Sequence, residues 1–195
     1  MSYLGYPGTT GADYIDYVIG DPVVTPLASE ADFSEKIAQM PWSYQPNDRQ
    51  RALLPSPGRE ACGLPADALV LCCFNQIYKI NPDVLDAWAR ILNGAPSALL
   101  WLLSWNPQGE RNLRQELRRR GIDPARLHFA PKAQMEDHLA RLRCADLFLD
   151  TWPCNAHTTT SESLWVGVPV LTLAGDTLPS RNGASLLPAV GMAEL

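Results

Sequence analysis

"ALVLCCFNQIYKINPDVLDAWARILNG", residues Ala68–Gly94, decides the fold. Its first part, "ALVLCCFN", is apolar almost without interruption, the pattern of a strand buried on both faces. After a short loop Asn81 is placed to cap a helix, Pro82 suits the first helical position and Gly94 ends it. Leu85, Trp88, Ile91 and Leu92 fall on one face of that helix.

The same unit repeats toward the C-terminus. "ALLWLLSW" (Ala98–Trp105) reads as a second strand and "PQGERNLRQELRRRG" (Pro107–Gly121) as a polar helix. "RLHFA" (Arg126–Ala130) and "LFLDT" (Leu147–Thr151) are further strands, separated by the helical "QMEDHLARLRCA" (Gln134–Ala145). "TTTSESLWVG" (Thr158–Gly167) is a short helix, "VPVLTLA" (Val168–Ala174) a fifth strand and "LPSRNGASLLPAVG" (Leu178–Gly191) a last helix. Buried strands alternating with helices predict an α/β fold: a Rossmann-like, doubly wound parallel sheet with right-handed crossovers. Residues 1–64 differ. They are rich in Pro and Gly, show no clear alternation, and contain "DYIDYVIGD" (Asp13–Asp21), which suits one strand or one helix. They read as a connecting segment or the edge of another domain, with the α/β unit occupying 65–195. Both ends look cut, the last β-α unit giving way at once to "GMAEL".

Composition narrows the function. With 46% apolar residues in a chain of 195, a full core is expected. The net charge of −5 gives no global field for nucleic acid. The one basic run, Arg111–Gly121, reads as a solvated helix face. The five cysteines show no zinc spacing, and their odd number argues against a disulfide framework, so buried reduced thiols in a cytoplasmic protein are expected. Residues 1–30 lack the pattern of a signal peptide. No apolar run approaches the ~20 residues that span a bilayer, so no membrane partner is expected.

In a parallel α/β sheet ligands sit at the carboxyl ends of the strands, where helices begin and free N–H groups attract anions. Three loops there carry chemistry. "HTTTSES" (His157–Ser163) opens a helix, so hydroxyls and N–H groups of Thr158 and Thr159 would face a phosphate, with His157 adding a hydrogen bond. The plainer alternative is N-capping by Thr with Glu162 completing a capping box. "CFNQIYKI" (Cys73–Ile80) offers the Gln76 amide and the Lys79 charge, or simply a surface lysine. "APKAQMEDHLARLR" (Ala130–Arg143) places His138 and Arg141 three apart on one helix face, able to stack on a base, or simply exposed. Convergence of all three on one edge points to a nucleotide diphosphate. Neither GxGxxG nor GxxxxGK[ST] occurs, so a sugar nucleotide fits better than a dinucleotide or a Walker-type triphosphate.

Four stretches, "GYPGTTGADYIDYVIGDPVVTP" (Gly5–Pro26), "FNQIYKINPDVLDAWARIL" (Phe74–Leu92), "LDTWPCNAHTTTSESLWVGVPVLTL" (Leu149–Leu173) and "GDTLPSRNGASLL" (Gly175–Leu187), resemble the protein O-linked N-acetylglucosamine transferases, a family that includes the SPINDLY-type O-fucosyltransferases. The resemblance implies the nucleotide-binding C-terminal lobe of a B-type glycosyltransferase fold, truncated, with residues 1–64 the end of the first lobe. It implies that Lys79 neutralises the leaving diphosphate beside Gln76, and that His138 stacks on uracil with Arg141 near the same base. The Ala133 backbone would bond the uracil edge, and His157, Thr158 and Thr159 would grip the diphosphate and sugar. Glu162 stands where relatives carry an Asp facing the ribose, and Met135 where some carry a ribose-contacting Lys. The implied reaction is inverting transfer of N-acetylglucosamine from UDP-GlcNAc to Ser or Thr hydroxyls of a protein acceptor. It would need no cofactor and no metal, in keeping with the lack of an Asp-X-Asp triplet. The helical repeats that select acceptors, the C-terminal helices and most of the first lobe, with its base or substrate-orienting histidines, are expected to lie outside this sequence. Two alternatives stay open: a catalytically incompetent UDP-binding fragment, and an O-fucosyltransferase using GDP-fucose.

Overall fold

The computed structural model describes residues 1–192; Ala193–Leu195, the end of the "GMAEL" stretch, lie outside them. Two short strands open the chain. β1 (Tyr17–Gly20) pairs in parallel with β2 (Lys36–Gln39), so "DYIDYVIGD" resolves into a strand. β2 has no sequence signature: "KIAQ" is four residues long and only partly buried.

The five strands of the main sheet are β3 (Leu69–Cys73), β4 (Ala98–Leu103), β5 (Leu127–Ala130), β6 (Leu147–Leu149) and β7 (Val170–Leu171). They lie in the order β5-β4-β3-β6-β7, and all pairings are parallel. The connecting helices are α1 (Pro82–Gly94), α2 (Pro107–Arg119), α3 (Met135–Leu142) and α4 (Thr158–Trp165), and α5 (Asn182–Ala189) follows β7. This is the expected doubly wound α/β sheet. The central strands supply the core: every residue of β3 after Leu69 and every residue of β4 before Leu103 is buried. α1 covers one face with Val84, Leu85, Trp88, Ala89 and Leu92, while Ile91 packs at the margin. Asn81 and Asn106 each cap the helix that follows, accepting from Val84 N–H at 2.9 Å and Gly109 N–H at 2.7 Å.

Two expectations shorten. The fifth strand keeps only Val170–Leu171; it lies at the sheet edge, where no further strand pairs with it among the described residues, and the next residue, Thr172, donates its hydroxyl to Asp150. The last helix splits into a 3-10 turn at Leu178–Ser180 and α5. The basic run on α2 is only partly solvated, since Arg114 donates to the carbonyls of Pro124 and Leu127.

The N-terminal segment is bonded to α5. The Asp21 carboxylate accepts from the N–H groups of Val23, Val24 and Tyr44 and from the Ser185 hydroxyl at 2.7 Å. Glu35 ties the "GTTG" turn to β2. Burial pushes its carboxyl up, but hydrogen bonds from Thr10 and Thr9 overcome this and hold it at about 2.

Strand order places the site. The chain runs outward from β3 to β4 and β5, then returns to the other side of β3 to lay down β6 and β7. The reversal leaves a crevice above the carboxyl ends of β3 and β6, where ligands bind in sheets of this kind.

Candidate functional site

A cavity of about 580 Å³ occupies this crevice, walled by the loops that follow β3, β4, β5 and β6. Gln76, Lys79, Ala133, His138, Arg141, His157, Thr158 and Thr159 all line it, so eight of the nine residues singled out in the sequence converge. Glu162 does not. It lies 3% exposed behind His138, with its carboxylate 3.6 Å from His138 Nε2.

The cavity has two chemically distinct ends. At the first, α4 begins. The backbone N–H groups of Thr158, Thr159 and Thr160 have no protein acceptor among the described residues, and no side chain caps the helix, so an anion-attracting terminus faces the cavity. Lys79 stands beside it at the end of a 3-10 turn (Ile77–Lys79) and donates to the Asn155 carbonyl at 2.7 Å. The two threonines differ. Thr158 is exposed, whereas the Thr159 hydroxyl donates to Asn75 Oδ1 at 2.6 Å. His157 has its Nε2 2.8 Å from the Asn182 side-chain nitrogen. Burial and the neighbouring Lys79 charge push its imidazole down to about 4, so the ring is neutral at physiological pH.

At the other end His138 presents its ring beside Phe74, with centroids 5.3 Å apart. Arg141 packs over Phe74 and donates to the Pro131 carbonyl; its Nη2 is 3.2 Å from His138 Nδ1. With Arg141 donating to Nδ1, the proton of a neutral His138 sits on Nε2, facing Glu162. Burial lowers the pKa of Arg141, although a guanidinium keeps its proton at any ordinary pH. Met135 and the exposed Ala133 complete this end.

The chain belongs to glycosyl transferase family 41. The family model matches residues 1–57 and 46–195. The chain is 40% identical over 198 residues to the probable UDP-N-acetylglucosamine–peptide N-acetylglucosaminyltransferase SEC of Arabidopsis thaliana, covering 98% of this chain and 20% of that protein. It is 46% identical over 132 residues to the Caenorhabditis elegans UDP-N-acetylglucosamine–peptide N-acetylglucosaminyltransferase, covering 68% of this chain and 12% of that one. A Thermobaculum terrenum O-GlcNAc transferase carrying a K341M substitution superposes with a TM-score of 0.86 at 33% identity, covering 99% of this chain and 36% of that chain. The chain therefore spans about a fifth of the length of the first of these relatives.

Several residues that organise this family 41 site escape a reading of the sequence. Asn75 is the hub: buried, it accepts from Thr159 and donates to Thr151 Oγ1 at 2.8 Å, while its carbonyl accepts from Trp105 Nε1 at 3.2 Å. Trp105 and Lys132 face each other across the mouth, the ammonium 4.6 Å from the ring centroid. Trp105 had a usable signal, since it ends the second strand at the same carboxyl edge. Among the described residues no group of His, Cys, Asp and Glu is arranged to hold a metal ion, and no helix is long and apolar enough to cross a membrane.

Proposed function

We propose that this chain is the donor-binding part of an inverting glycosyltransferase that moves N-acetylglucosamine from UDP-GlcNAc to Ser or Thr hydroxyls of proteins. What carries the reading is the polarity of one cavity: free helix N–H groups and Lys79 at one end, an aromatic and guanidinium end at the other. A diphosphate suits the first end and a pyrimidine base the second. On this reading Lys79, with Gln76 beside it, and the start of α4 at Thr158 and Thr159 stabilise charge building on the leaving diphosphate, with no metal needed. His157 stands at the junction with the sugar. His138 stacks on the base, Arg141 steadies it and the Ala133 backbone meets its edge. Glu162 acts from behind His138 rather than on the ribose. Residues 1–64 are the end of a first lobe, and the protein acceptor, the helical repeats and the rest of that lobe belong to a longer protein. Five free thiols fit a cytoplasmic setting.

Calorimetry with UDP, uridine and GDP on the chain tests the reading. UDP is expected to bind more tightly than uridine or GDP, and the chain alone is expected to give no turnover with labelled donor and a protein acceptor. Tighter GDP binding would favour fucosyl transfer instead, and binding of neither nucleotide would sink the assignment.

A finer test separates the two threonines. Thr158→Val is expected to lower UDP affinity by about 1–2 kcal/mol with little change in melting temperature, because its hydroxyl is free for a ligand. Thr159→Val is expected to lower the melting temperature as well, because Asn75 loses a buried partner. Unchanged UDP affinity in both variants would leave the hydroxyls with a purely structural role.

A further inference from the structure

His157 is held from behind by a short relay that starts in the N-terminal segment. Tyr3 donates its hydroxyl to the Tyr44 carbonyl at 2.8 Å, and the Tyr44 N–H donates to Asp21 at 2.9 Å, so Tyr44 is fixed at both backbone groups. The Tyr44 hydroxyl donates to Asn182 Oδ1 at 2.8 Å. Asn182 is fully buried at the start of α5, and its Nδ2 lies 3.2 Å from the Leu178 carbonyl and 2.8 Å from His157 Nε2.

The chemistry of these partners leaves one arrangement. A carbonyl only accepts, so the amide must turn its NH₂ toward Leu178, and the second N–H then points at His157. Turning the amide over would set Oδ1 against the Leu178 carbonyl. His157 Nε2 must therefore accept, and the proton of the neutral ring resides on Nδ1. Nε2 is thereby committed inside the protein.

We propose that Asn182, locked by Tyr44, is a positioning residue of the donor site: it fixes His157 as the neutral tautomer with its proton on Nδ1. The proposal rests on the reading of this cavity as a nucleotide-sugar site. A proton added to Nε2 would meet the Asn182 N–H head-on, so the relay excludes the imidazolium form. The titratable groups facing His157 are Lys79 from the loop after β3 and, across a second cavity of about 140 Å³, the phenols of Tyr3, Tyr6 and Tyr44. α5 carries no titratable side chain. Lys79 and the free N–H groups of α4 then attract the diphosphate without help from a histidine charge.

The test uses the ¹⁵N-labelled chain, histidine side-chain spectra between about pH 7.5 and 5.5, a range that brackets the ordinary histidine pKa, and affinity for UDP-N-acetylglucosamine, whose diester diphosphate does not titrate there. The parent is expected to show His157 as the Nδ1–H tautomer throughout, with an affinity flat to about twofold. In Asn182→Val Nε2 loses its donor, so the ring is expected to populate both neutral tautomers, while burial and the Lys79 charge still hold it uncharged. Asn182→Asp keeps the shape but offers only acceptors, and His157 is expected to be an imidazolium even at the alkaline end. If Asn182→Val fails to fold, the Asp variant decides alone. A parent His157 that titrates normally or carries its proton on Nε2, or an Asn182→Val or Asn182→Asp chain whose His157 tautomer and pH profile match the parent's, overturns the proposal. Failure of every variant to bind the donor would refute the nucleotide-sugar reading and leave the tautomer spectra to decide the role of Asn182.

Discussion

Replacing Lys79 with alanine is expected to weaken UDP binding by about 1.5–3 kcal/mol, the range for a hydrogen bond to a charged group, and to leave uridine binding nearly unchanged. The ammonium uses one of its three protons on the Asn155 carbonyl, and the other two are available to the cavity. It stands beside a helix terminus whose first N–H groups are free, so the two positive features add at one place. Where charge accumulates on a departing diphosphate, such an arrangement strengthens as the reaction proceeds. The same substitution orphans the Asn155 carbonyl, so some stability is lost, about 1 kcal/mol. Calorimetry with UDP and with uridine, alongside a melting curve, separates the two effects. Equal losses for both ligands would show that Lys79 is not at the phosphates.

The largest expected effect on stability falls on Asp150. Its carboxylate gathers the loop after β6, accepting from Thr151 N–H at 2.7 Å, Ala156 N–H at 2.6 Å, Thr172 Oγ1 at 2.7 Å and, more weakly, Asn75 Nδ2 at 3.3 Å. Asp150→Ala orphans these donors together and is expected to cost about 3 kcal/mol or more. Asp150→Asn is expected to cost less than about 1 kcal/mol, because an amide oxygen still serves the N–H groups and the Thr172 hydroxyl is free to turn. The charge itself is a burden. Burial raises the carboxyl pKa despite the four donors, so folding favours the protonated form relative to water. A carboxyl raised in this way costs stability above its ordinary pKa, and the cost is relieved as the pH falls. The parent should therefore gain on the Asn variant as the pH drops toward 4, the ordinary Asp range. Thermal melts of the three chains across that range check the order, and an Asn variant as unstable as the Ala variant would mean that the charge, not the hydrogen bonding, holds the loop.

How much of this was readable in advance follows from how local each signal is. The buried strands announce themselves, since "LVLCC" and "ALLWLL" are continuously apolar, and the Asn-Pro pairs at Asn81 and Asn106 mark where two helices start. The edge rule then collects the loop residues of the site without knowledge of any contact. β2 was invisible because four half-buried residues carry no period. The side chains that hold the site together are set by distance through space. Asn75 and Thr159 are 84 residues apart, and Tyr44 and Asn182 are 138 apart. The side of a two-turn helix that Glu162 faces is likewise a matter of packing; "TTTSES" fits a capping box or a ribose contact equally well, and in the structure no side chain caps α4 while Glu162 lies behind His138.

The bond network around the crevice is uneven, and this divides labour between its two ends. The β3 and β6 loops are cross-linked through Asn75, Thr151, Thr159, Lys79 and Asn155 at the end where α4 begins. The stretch Pro131–Gln134 at the other end is exposed throughout, tied to its surroundings through the Pro131 carbonyl to Arg141, the Gln134 carbonyl to His138 N–H and Lys132 over the Trp105 ring. On the proposed reading, a change of nucleobase preference has its target in this four-residue loop, apart from the cross-linked residues around Lys79 and α4.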